Sequence, residues 1–331
     1  MQLACDAAEG VRGRTTPNPP VGCVLLDAAG EVAGVGATAP PGGAHAEIMA
    51  LHAAGDRARG GVAVVTLEPC NHHGRTAPCT DALLAAGVAT VRYAVADPNP
   101  VAAGGAAYLR QHGVVSELTP SDLAERGALR AWLHHQRTGR AHITYKFAAT
   151  LDGRTAAADG SSEWISGPEA RAQVHAERAK LDAIVVGTGT VLTDDPWLTA
   201  RLPDGSLAPH QPLRVVVGAR DVPASARVLD DSAPTVLVRT GGPHAVLAAL
   251  GERTDVLLEG GPSLAGAFAR AGLIDRVLAY LAPSLLGAGA AALGDAGVMT
   301  IADALRFDLE DVQVLGSDVR ISAVPRVTLG D

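Results

Sequence analysis

The chain has 331 residues, 47% of them hydrophobic and only 3% aromatic, with a formal net charge of -8 at pH 7. This length predicts two domains of about 150 residues each. A chain with this net charge lacks the excess of basic residues that binds nucleic-acid phosphates, so a polynucleotide substrate is disfavoured. Four cysteines are too few for a disulfide framework. The sequence has neither a secretory leader nor a membrane-length apolar run, so we expect a cytoplasmic protein of α/β composition.

The first predicted elements are a helix over residues 2–10, a strand over 21–26 and its hairpin partner over 31–36. Asn18 lies between two prolines that hold it in an extended or turn conformation, so its amide has a fixed direction. The alternative is an ordinary turn asparagine. A second helix begins at His45 and ends near residue 54, and we expect Ile48, Met49 and Leu51 to form its buried side.

Three residues with metal-ligand side chains follow in order, His45, Cys70 and Cys79. A catalytic zinc site uses three protein ligands and leaves a position open for water, whereas a structural site is closed by four. Glu47, two residues from the imidazole, is suited to move protons between that water and a substrate. The sequence His-x-Glu followed by Pro-Cys is typical of zinc deaminases, although here eight residues separate the two cysteines.

Two other interpretations bear on this pattern. A structural zinc site would need a fourth ligand, for which His72 and His73 are the nearby candidates. A second His-x-Glu, starting at His175, has no cysteine near it and lies in an Ala/Arg/Lys-rich helical pattern. It is predicted to be a solvated helix face without a metal.

The rest of the first half alternates strands and helices up to a polar linker. Asp97 and Asn99 follow a strand end and are held by neighbouring prolines. We place a domain boundary near residue 140. The predicted elements are a strand at 62–67, a helix at 79–86, a strand at 88–95, a helix at 103–111, a strand at 114–118 and a helix at 122–135.

The second half also alternates strand and helix and ends in an antiparallel hairpin. A strand runs through Glu259, Gly260 and Gly261 into a helix, where free backbone N–H groups can bind phosphate, but this is not a G-x-G-x-x-G fingerprint. The elements are predicted as strands at 142–149, 181–186, 213–217, 234–238, 254–259, 275–281, 307–315 and 318–324, and helices at 168–180, 243–250 and 262–271.

Several polar residues interrupt the apolar pattern of the second half. Lys146 lies on an otherwise apolar strand, and Asp194 and Asp195 follow another strand. Arg178 and Arg201 have the bidentate geometry that suits a phosphate. Each residue also has an ordinary structural interpretation, as an edge-strand charge, a turn or cap residue, or a solvated surface arginine.

Together these motifs resemble the bifunctional deaminase/reductase family of riboflavin biosynthesis over essentially the whole chain. The first half carries Pro17-Asn18-Pro19, His45-Ala46-Glu47 and a Pro-Cys-x8-Cys segment, and the second carries Leu151-Asp152-Gly153-Arg154 and Glu259-Gly260-Gly261-Pro262. The resemblance implies two α/β domains. These are a cytidine-deaminase-like three-layer α/β/α domain at 1–140, a zinc-dependent deaminase, and a dihydrofolate-reductase-like domain at 141–331, an NADPH-dependent reductase.

The resemblance also implies the reactions and the residues that serve them. The first domain would remove the 2-amino group of 2,5-diamino-6-(5-phosphoribosylamino)pyrimidin-4-one, and the second would use NADPH to reduce the ribosyl group to ribityl. Zinc would be held by His45, Cys70 and Cys79, with Glu47 as the catalytic residue. The positions that match deaminase substrate contacts are Asn18, His72, Arg75, Asp97 and Asn99.

In the reductase domain the resemblance implies two groups of residues, with Lys146, Asp194 and Glu259 as unranked candidates for the proton donor. Positions that match NADPH contacts are Ala149, Trp164, Thr190, Asp194, Gly261, Pro262, Ser263, Leu264, Ala265, Gly266 and Ala267. Positions that match contacts to the sugar phosphate are Lys146, Ser162, Arg178, Leu198, Arg201 and Glu259.

The chain departs from the family pattern at two places. Gly218-Ala219 stands where relatives commonly have Asp-Ser, so one cofactor contact is lost or made by backbone. The first helix also starts a few residues late. A homo-oligomer is expected, and the main alternative function is a single-activity deaminase whose second domain only binds or oligomerises.

Overall fold

The computed structural model describes residues 1–72, 77–239 and 242–326. The chain divides into two compact units, Met1–Arg140 and Ala141–Asp331. Each unit is built on a β-sheet of its own and has its own buried apolar cluster. No helix within the described part of the chain combines the length and hydropathy that a membrane crossing needs.

The first unit is a five-stranded sheet with helices packed on it. Its elements are α1 (Gln2–Glu9), β1 (Gly22–Leu26), β2 (Val32–Ala37), α2 (Ala46–Ala54), β3 (Val62–Leu67), α3 (Cys79–Ala85), β4 (Thr90–Val95), α4 (Gly105–Gln111), β5 (Val115–Leu118), α5 (Asp122–Arg126) and α6 (Arg130–Thr138). The strand order is β2-β1-β3-β4-β5, and β3, β4 and β5 run parallel. The segments that follow β3 and β4 therefore leave the sheet at the same edge.

Helix α2 packs on the sheet chiefly through small residues, and of the large residues expected on its buried side Leu51 packs against the apolar cluster of the first unit. Its buried residues are Ala46, Glu47, Ala50 and Ala54, whereas Met49 is 45% exposed, so that part of the prediction is wrong. The reason lies in β2: a Cβ at Gly36 would come within 2.3 Å of the Ala46 carbonyl oxygen. Glycine in the strand and alanine in the helix let the two backbones approach closely.

The single helix predicted over 122–135 is two helices. Helix α5 ends at Gly127, whose backbone angles of φ -90° and ψ -130° leave the helical region, and α6 begins at Arg130. A Cβ at Gly127 would lie 2.4 Å from the Leu123 carbonyl oxygen. The break therefore depends on the missing side chain, which an apolar periodicity does not reveal.

The second unit is an eight-stranded sheet with the order β12-β13-β11-β6-β10-β7-β8-β9. Its elements are β6 (His142–Thr150), α7 (Pro168–Arg178), β7 (Ala183–Gly187), α8 (Thr188–Asp194), β8 (Leu213–Val217), β9 (Thr235–Val238), α9 (Pro243–Leu250), β10 (Asp255–Leu258), α10 (Pro262–Arg270), β11 (Arg276–Ala282), β12 (Phe307–Leu315) and β13 (Asp318–Pro325). Strands from β11 to β9 are parallel, and β13 pairs antiparallel with β11 and β12. The short helix α8 was not predicted from the sequence.

Candidate functional sites

The three predicted metal ligands converge in the first unit. His45 is the N-cap of α2, Cys70 follows the end of β3, and Cys79 is the first residue of α3. The His45 Nδ1 atom lies 3.5 Å from the Cys70 sulfur and 3.3 Å from the Cys79 sulfur. All three ligand atoms lie within 4.8 Å of one another.

This donor set fits zinc. A tetrahedral ion with Zn–S of about 2.3 Å and Zn–N of about 2.0 Å separates sulfur from nitrogen by roughly 3.5 Å. Within the described residues the ligand cluster has three members and no fourth protein ligand. His72 is not one of them, and His73 lies outside the described residues, so the arrangement favours an open coordination position over a closed structural site.

The two thiols are electrostatically unequal without a metal. A hydrogen bond from Cys79 lowers the pKa of Cys70 to about 4, with His45 adding to the effect, while the same bond and burial raise the pKa of Cys79. The two sulfurs thus share one hydrogen bond, in which Cys79 donates to Cys70. Because zinc binds thiolate rather than thiol, this arrangement suits a metal that replaces the shared proton.

Glu47 lies in the first turn of α2 and is only 4% exposed. Burial raises its pKa to about 7. A carboxyl group with this pKa can both accept and return a proton near neutral pH. The structure therefore places a buried carboxyl group that can carry a proton two residues from His45.

Of the predicted substrate-contacting residues of the first unit, Asp97 lies near enough to Cys70 and His72 for their charges to act on it. Asp97 and Asn99 follow β4, where the Asp97 carboxylate accepts a hydrogen bond from the Asn99 backbone N–H at 2.8 Å. Burial raises the pKa of Asp97. The Nδ1 atom of His72 is buried without a hydrogen-bond partner in the described part of the chain. Asn18 is half-buried after α1, and Arg75 lies outside the described residues.

Sequence reasoning missed the role of Glu68, which is 9% exposed. Its carboxylate accepts hydrogen bonds from the backbone N–H groups of Asp97 at 3.2 Å and Ala106 at 2.9 Å. The neighbouring Gly105 lies so close to the Pro69 carbonyl oxygen that a Cβ would come within 1.8 Å. The sequence did contain a signal for this role, because Glu68 is a charged residue at the end of an apolar strand, two positions before Cys70.

The second unit contains a cavity of about 1510 Å³. Most of the residues predicted to contact NADPH or the sugar phosphate line it. They are Lys146, Ser162, Trp164, Arg178, Thr190, Asp194, Leu198, Arg201, Glu259, Gly261, Pro262, Ser263, Leu264 and Ala267. Three predicted positions do not line it: Ala149, Ala265 and Gly266 are buried in the packing of β6 and α10.

An ion cluster lies in the wall of this cavity. Arg178 donates from Nε to one Glu259 carboxylate oxygen at 2.8 Å and from Nη2 to the other at 2.7 Å. The Lys146 ammonium lies 3.7 Å from the same carboxylate. Burial alone would raise the pKa of Glu259, but the two cations outweigh it and hold that pKa at about 2. Burial lowers the pKa of Lys146.

Turns after two parallel strands lie at the part of the cavity where the sequence predicts NADPH contacts. Helix α10 begins after Gly261, and a Cβ on that glycine would lie 3.5 Å from the Thr190 hydroxyl of α8. Gly218 has φ +141°, and a Cβ there would meet the Thr188 hydroxyl at 2.4 Å. Glycine at position 218 therefore leaves the space that the Thr188 side chain occupies. At the start of α10 the Leu264 and Ala265 N–H groups donate to the Gly261 carbonyl oxygen, and Pro262 has no N–H, so the Ser263 N–H is the backbone donor of this turn that suits a phosphate.

The second His-x-Glu does not form a solvated face. His175 on α7 is half-buried and lines the same cavity. Its Nδ1 atom lies 3.2 Å from the Thr199 carbonyl oxygen. The prediction failed because a helical charge pattern does not show which turn faces a cavity formed by distant segments.

Two family models match the chain in order. Residues 1–95 match the cytidine and deoxycytidylate deaminase zinc-binding region. Residues 141–321 match the RibD C-terminal domain. These matches confirm the two-domain α/β fold class and the zinc-binding character of the first half, and they agree with the predicted use of zinc and NADPH.

Riboflavin biosynthesis proteins of other organisms align over nearly the whole chain. The riboflavin biosynthesis protein RibD of Mycobacterium tuberculosis is 56% identical over 98% of this chain and 96% of its own. Its Escherichia coli counterpart is 38% identical over 98% of both. The solved RibD of Acinetobacter baumannii has a TM-score of 0.86 and 36% identity over 98% of both chains.

A further solved structure carries both activities in its name. The Thermotoga maritima diaminohydroxyphosphoribosylaminopyrimidine deaminase/5-amino-6-(5-phosphoribosylamino)uracil reductase has a TM-score of 0.89 and 30% identity over 98% of this chain and 97% of its own. The alternative of a single-activity deaminase is disfavoured, because a family model matches each half and the named relatives align over nearly the whole chain. The chain belongs to the RibD family, the enzymes that combine a hydrolytic deaminase with a reductase in riboflavin biosynthesis.

Proposed function

We propose that residues 1–140 hydrolyse the 2-amino group of 2,5-diamino-6-(5-phosphoribosylamino)pyrimidin-4-one and release ammonia. The observation that carries this proposal is the approach of His45, Cys70 and Cys79 next to the buried Glu47. The name of the Thermotoga maritima relative supports the substrate. When bound, zinc supplies an acidified water that is a nucleophile near neutral pH.

The protein side chains carry the remaining steps of the deamination. Glu47 accepts a proton from the attacking water and passes it to the ring nitrogen, and it then carries the hydroxyl proton of the adduct to the leaving amino group, which departs as ammonia as the carbonyl forms. Its burial supports this role, because a carboxyl group with a pKa of about 7 holds and gives up a proton with equal ease. Asn18, His72, Arg75, Asp97 and Asn99 would orient the substrate. The Nδ1 atom of His72, buried without a partner among the described residues, supports a ligand contact there.

We propose that residues 141–331 reduce the ribosyl side chain of the deaminated product to ribityl with NADPH. The hydride comes from the cofactor, and the protein orients the opened sugar and supplies a proton. The cofactor would contact Trp164, Thr190, Asp194 and the start of α10. The sugar phosphate would contact Lys146, Ser162, Arg178, Leu198, Arg201 and Glu259. The support is that all of these residues line one cavity.

A coupled assay of the full-length protein with the diaminopyrimidine phosphate and NADPH tests both activities. We expect ammonia release followed by NADPH oxidation that depends on the deaminated product. Glu47→Gln should keep zinc and the fold but slow ammonia release by about 100-fold or more. If Glu47→Gln deaminates normally, Glu47 is not the proton carrier. If deaminated substrate never oxidises NADPH, the second activity is absent.

We propose that the protein is a cytoplasmic homo-oligomer. The location is supported by its thiols, since the two ligand cysteines must stay reduced to bind a metal. The oligomer is supported by β12, which is an edge strand of its sheet and exposes Leu309, Val312 and Val314 at 69%, 55% and 72%. An exposed apolar edge strand is a surface that pairs with another chain.

A further inference from the structure

His175 occupies a position in the reductase cavity that the proposed roles do not use. It lies one turn before Arg178 on α7 and is half-buried. The Thr199 carbonyl oxygen is 3.2 Å from the His175 Nδ1 atom and also accepts a hydrogen bond from Arg178 at 3.2 Å. The imidazole is thus anchored beside the Arg178–Glu259 pair, within the group of residues assigned to the sugar phosphate.

The anchor fixes the tautomer of the ring. A carbonyl oxygen can only accept a hydrogen bond, so Nδ1 must carry the proton. Burial, and then the charge of Arg178, lower the pKa of His175, which keeps the ring neutral at pH 7. The Nε2 atom is therefore left with a lone pair, and it has no hydrogen-bond partner among the described residues.

The neutral Nε2 atom of His175 can accept a hydrogen bond, so it binds a ligand group that donates one. A phosphate dianion offers only acceptors, whereas a sugar hydroxyl offers a donor. Arg178 donates to Glu259 through Nε and Nη2 and to the Thr199 carbonyl oxygen through Nη1, so this cation is already paired. The lone pair of Nε2 therefore selects a donor such as a hydroxyl group, while the charge of Arg201, which also acts on the ring, suits an anionic group beside it.

We propose that His175 is a substrate-binding residue of the reductase, whose Nε2 atom accepts a hydrogen bond from a hydroxyl of the ribosyl chain. This inference rests on the proposed reduction of that chain in the same cavity. With Nδ1 held by Thr199, the ring cannot turn its acceptor away without losing a hydrogen bond. His175 thus distinguishes a polyhydroxylated substrate from one that lacks the hydroxyl.

Two substitutions separate binding from anchoring. In His175→Asn the amide N–H can replace Nδ1 against Thr199, but nothing reaches the Nε2 position. In His175→Gln the longer side chain brings an amide oxygen near that position. We expect the Asn variant to raise the KM for the deaminated pyrimidine phosphate by about 3- to 10-fold, the loss of one neutral hydrogen bond. The Gln variant should recover most of it, and the KM for NADPH should stay within about twofold in both.

The KM for NADPH provides the folding control for this unit, and ammonia release should match the wild type because residues 1–140 carry the deaminase. An unchanged substrate KM in His175→Asn would overturn the proposal. An equal rise in both KM values, or a Gln variant as impaired as the Asn variant, would show a structural role instead. Calorimetric binding of the same pyrimidine phosphate distinguishes the two proposals. Weaker binding by the Asn variant sustains this inference even if NADPH oxidation fails, and unchanged binding overturns it.

Discussion

Arg178 holds both carboxylate oxygens of Glu259, at 2.8 Å and 2.7 Å, in a position where the side chains are only 13% and 9% exposed. A bidentate pair with this burial is fixed in direction as well as in charge. It leaves Lys146, 3.7 Å from the same carboxylate, as the more loosely held cation of the cluster. Lys146 is thus the group that is freer to follow a substrate.

The Glu259 carboxylate should make stability depend on pH in the acid range. Its pKa is about 2 in the folded protein against an ordinary value of 4.5. A depressed pKa stabilises the fold above pH 4.5, and this contribution is lost as the pH falls towards 2. We expect about 3 kcal/mol to be lost over that window, an order-of-magnitude figure. Urea unfolding of the wild type at a series of pH values measures it.

Replacing Glu259 by Gln should remove this pH-dependent contribution to the free energy of unfolding. At neutral pH the variant should be less stable by about 3–5 kcal/mol, because Arg178 loses its buried counter-charge. The matched control is Asp295→Asn, which breaks the exposed Arg270–Asp295 pair and should cost less than about 1 kcal/mol. If both variants lost a similar free energy of unfolding, burial would not explain the contribution of Glu259.

Removing one sulfur from the metal cluster should abolish zinc binding and deamination. In Cys79→Ser the hydroxyl is a poor zinc ligand, so we expect the purified protein to contain little zinc and to release no ammonia. Cys5→Ala is the control, because Cys5 is a free buried thiol on α1 outside the cluster. Zinc analysis by atomic absorption should find a full complement in that control. A zinc-replete Cys79→Ser protein would exclude this ligand.

Glu68→Gln should impair the deaminase without removing its ligands. The amide can accept only one of the two backbone hydrogen bonds, so the Asp97 segment or the start of α4 loses its anchor. We expect the deaminase KM to rise by roughly 10-fold or more, the effect of leaving a buried group unsatisfied. Glu117→Gln, in an exposed pair with Arg92, should leave it unchanged. Steady-state ammonia release with measured zinc content decides between these outcomes.

A charge on the exposed edge strand should weaken self-association. Val314→Lys on β12 places an ammonium at a position that is 72% exposed. If β12 is the oligomer interface, sedimentation velocity should show a smaller species than the wild type at the same concentration. Leu3→Lys, on the partly exposed helix α1, serves as the control. An unchanged sedimentation coefficient in Val314→Lys would place the interface elsewhere.

The sequence predicted most strands within one or two residues, because apolar runs bounded by glycine and proline are strong local signals. Strands β3 and β8 have the expected bounds. The zinc cluster was also predictable, since its ligand types and order are chemically restrictive. The exposed face of α2 was not, because Gly34 and Gly36 let alanines rather than large residues face the sheet. Neither helix periodicity nor hydrophobicity contains that information.

The roles of Glu68 and His175 were missed for a related reason. Both depend on partners that are distant in sequence, the backbone of Ala106 for Glu68 and the carbonyl of Thr199 for His175. Such hydrogen bonds arise when segments meet in three dimensions. Glu259 was identified through resemblance, but its pairing with Arg178, 81 positions away, also became evident only in the fold.

The close approach of Gly105 to Pro69 restricts how this chain can change over time. An added methyl group would displace the peptide that leads into Cys70, although residue 105 itself takes no part in chemistry. We therefore expect selection to remove substitutions of Gly105, as it removes substitutions of Cys70 and Cys79. A close contact between two backbone segments, and not only the reactive side chains, therefore limits which substitutions this part of the protein tolerates.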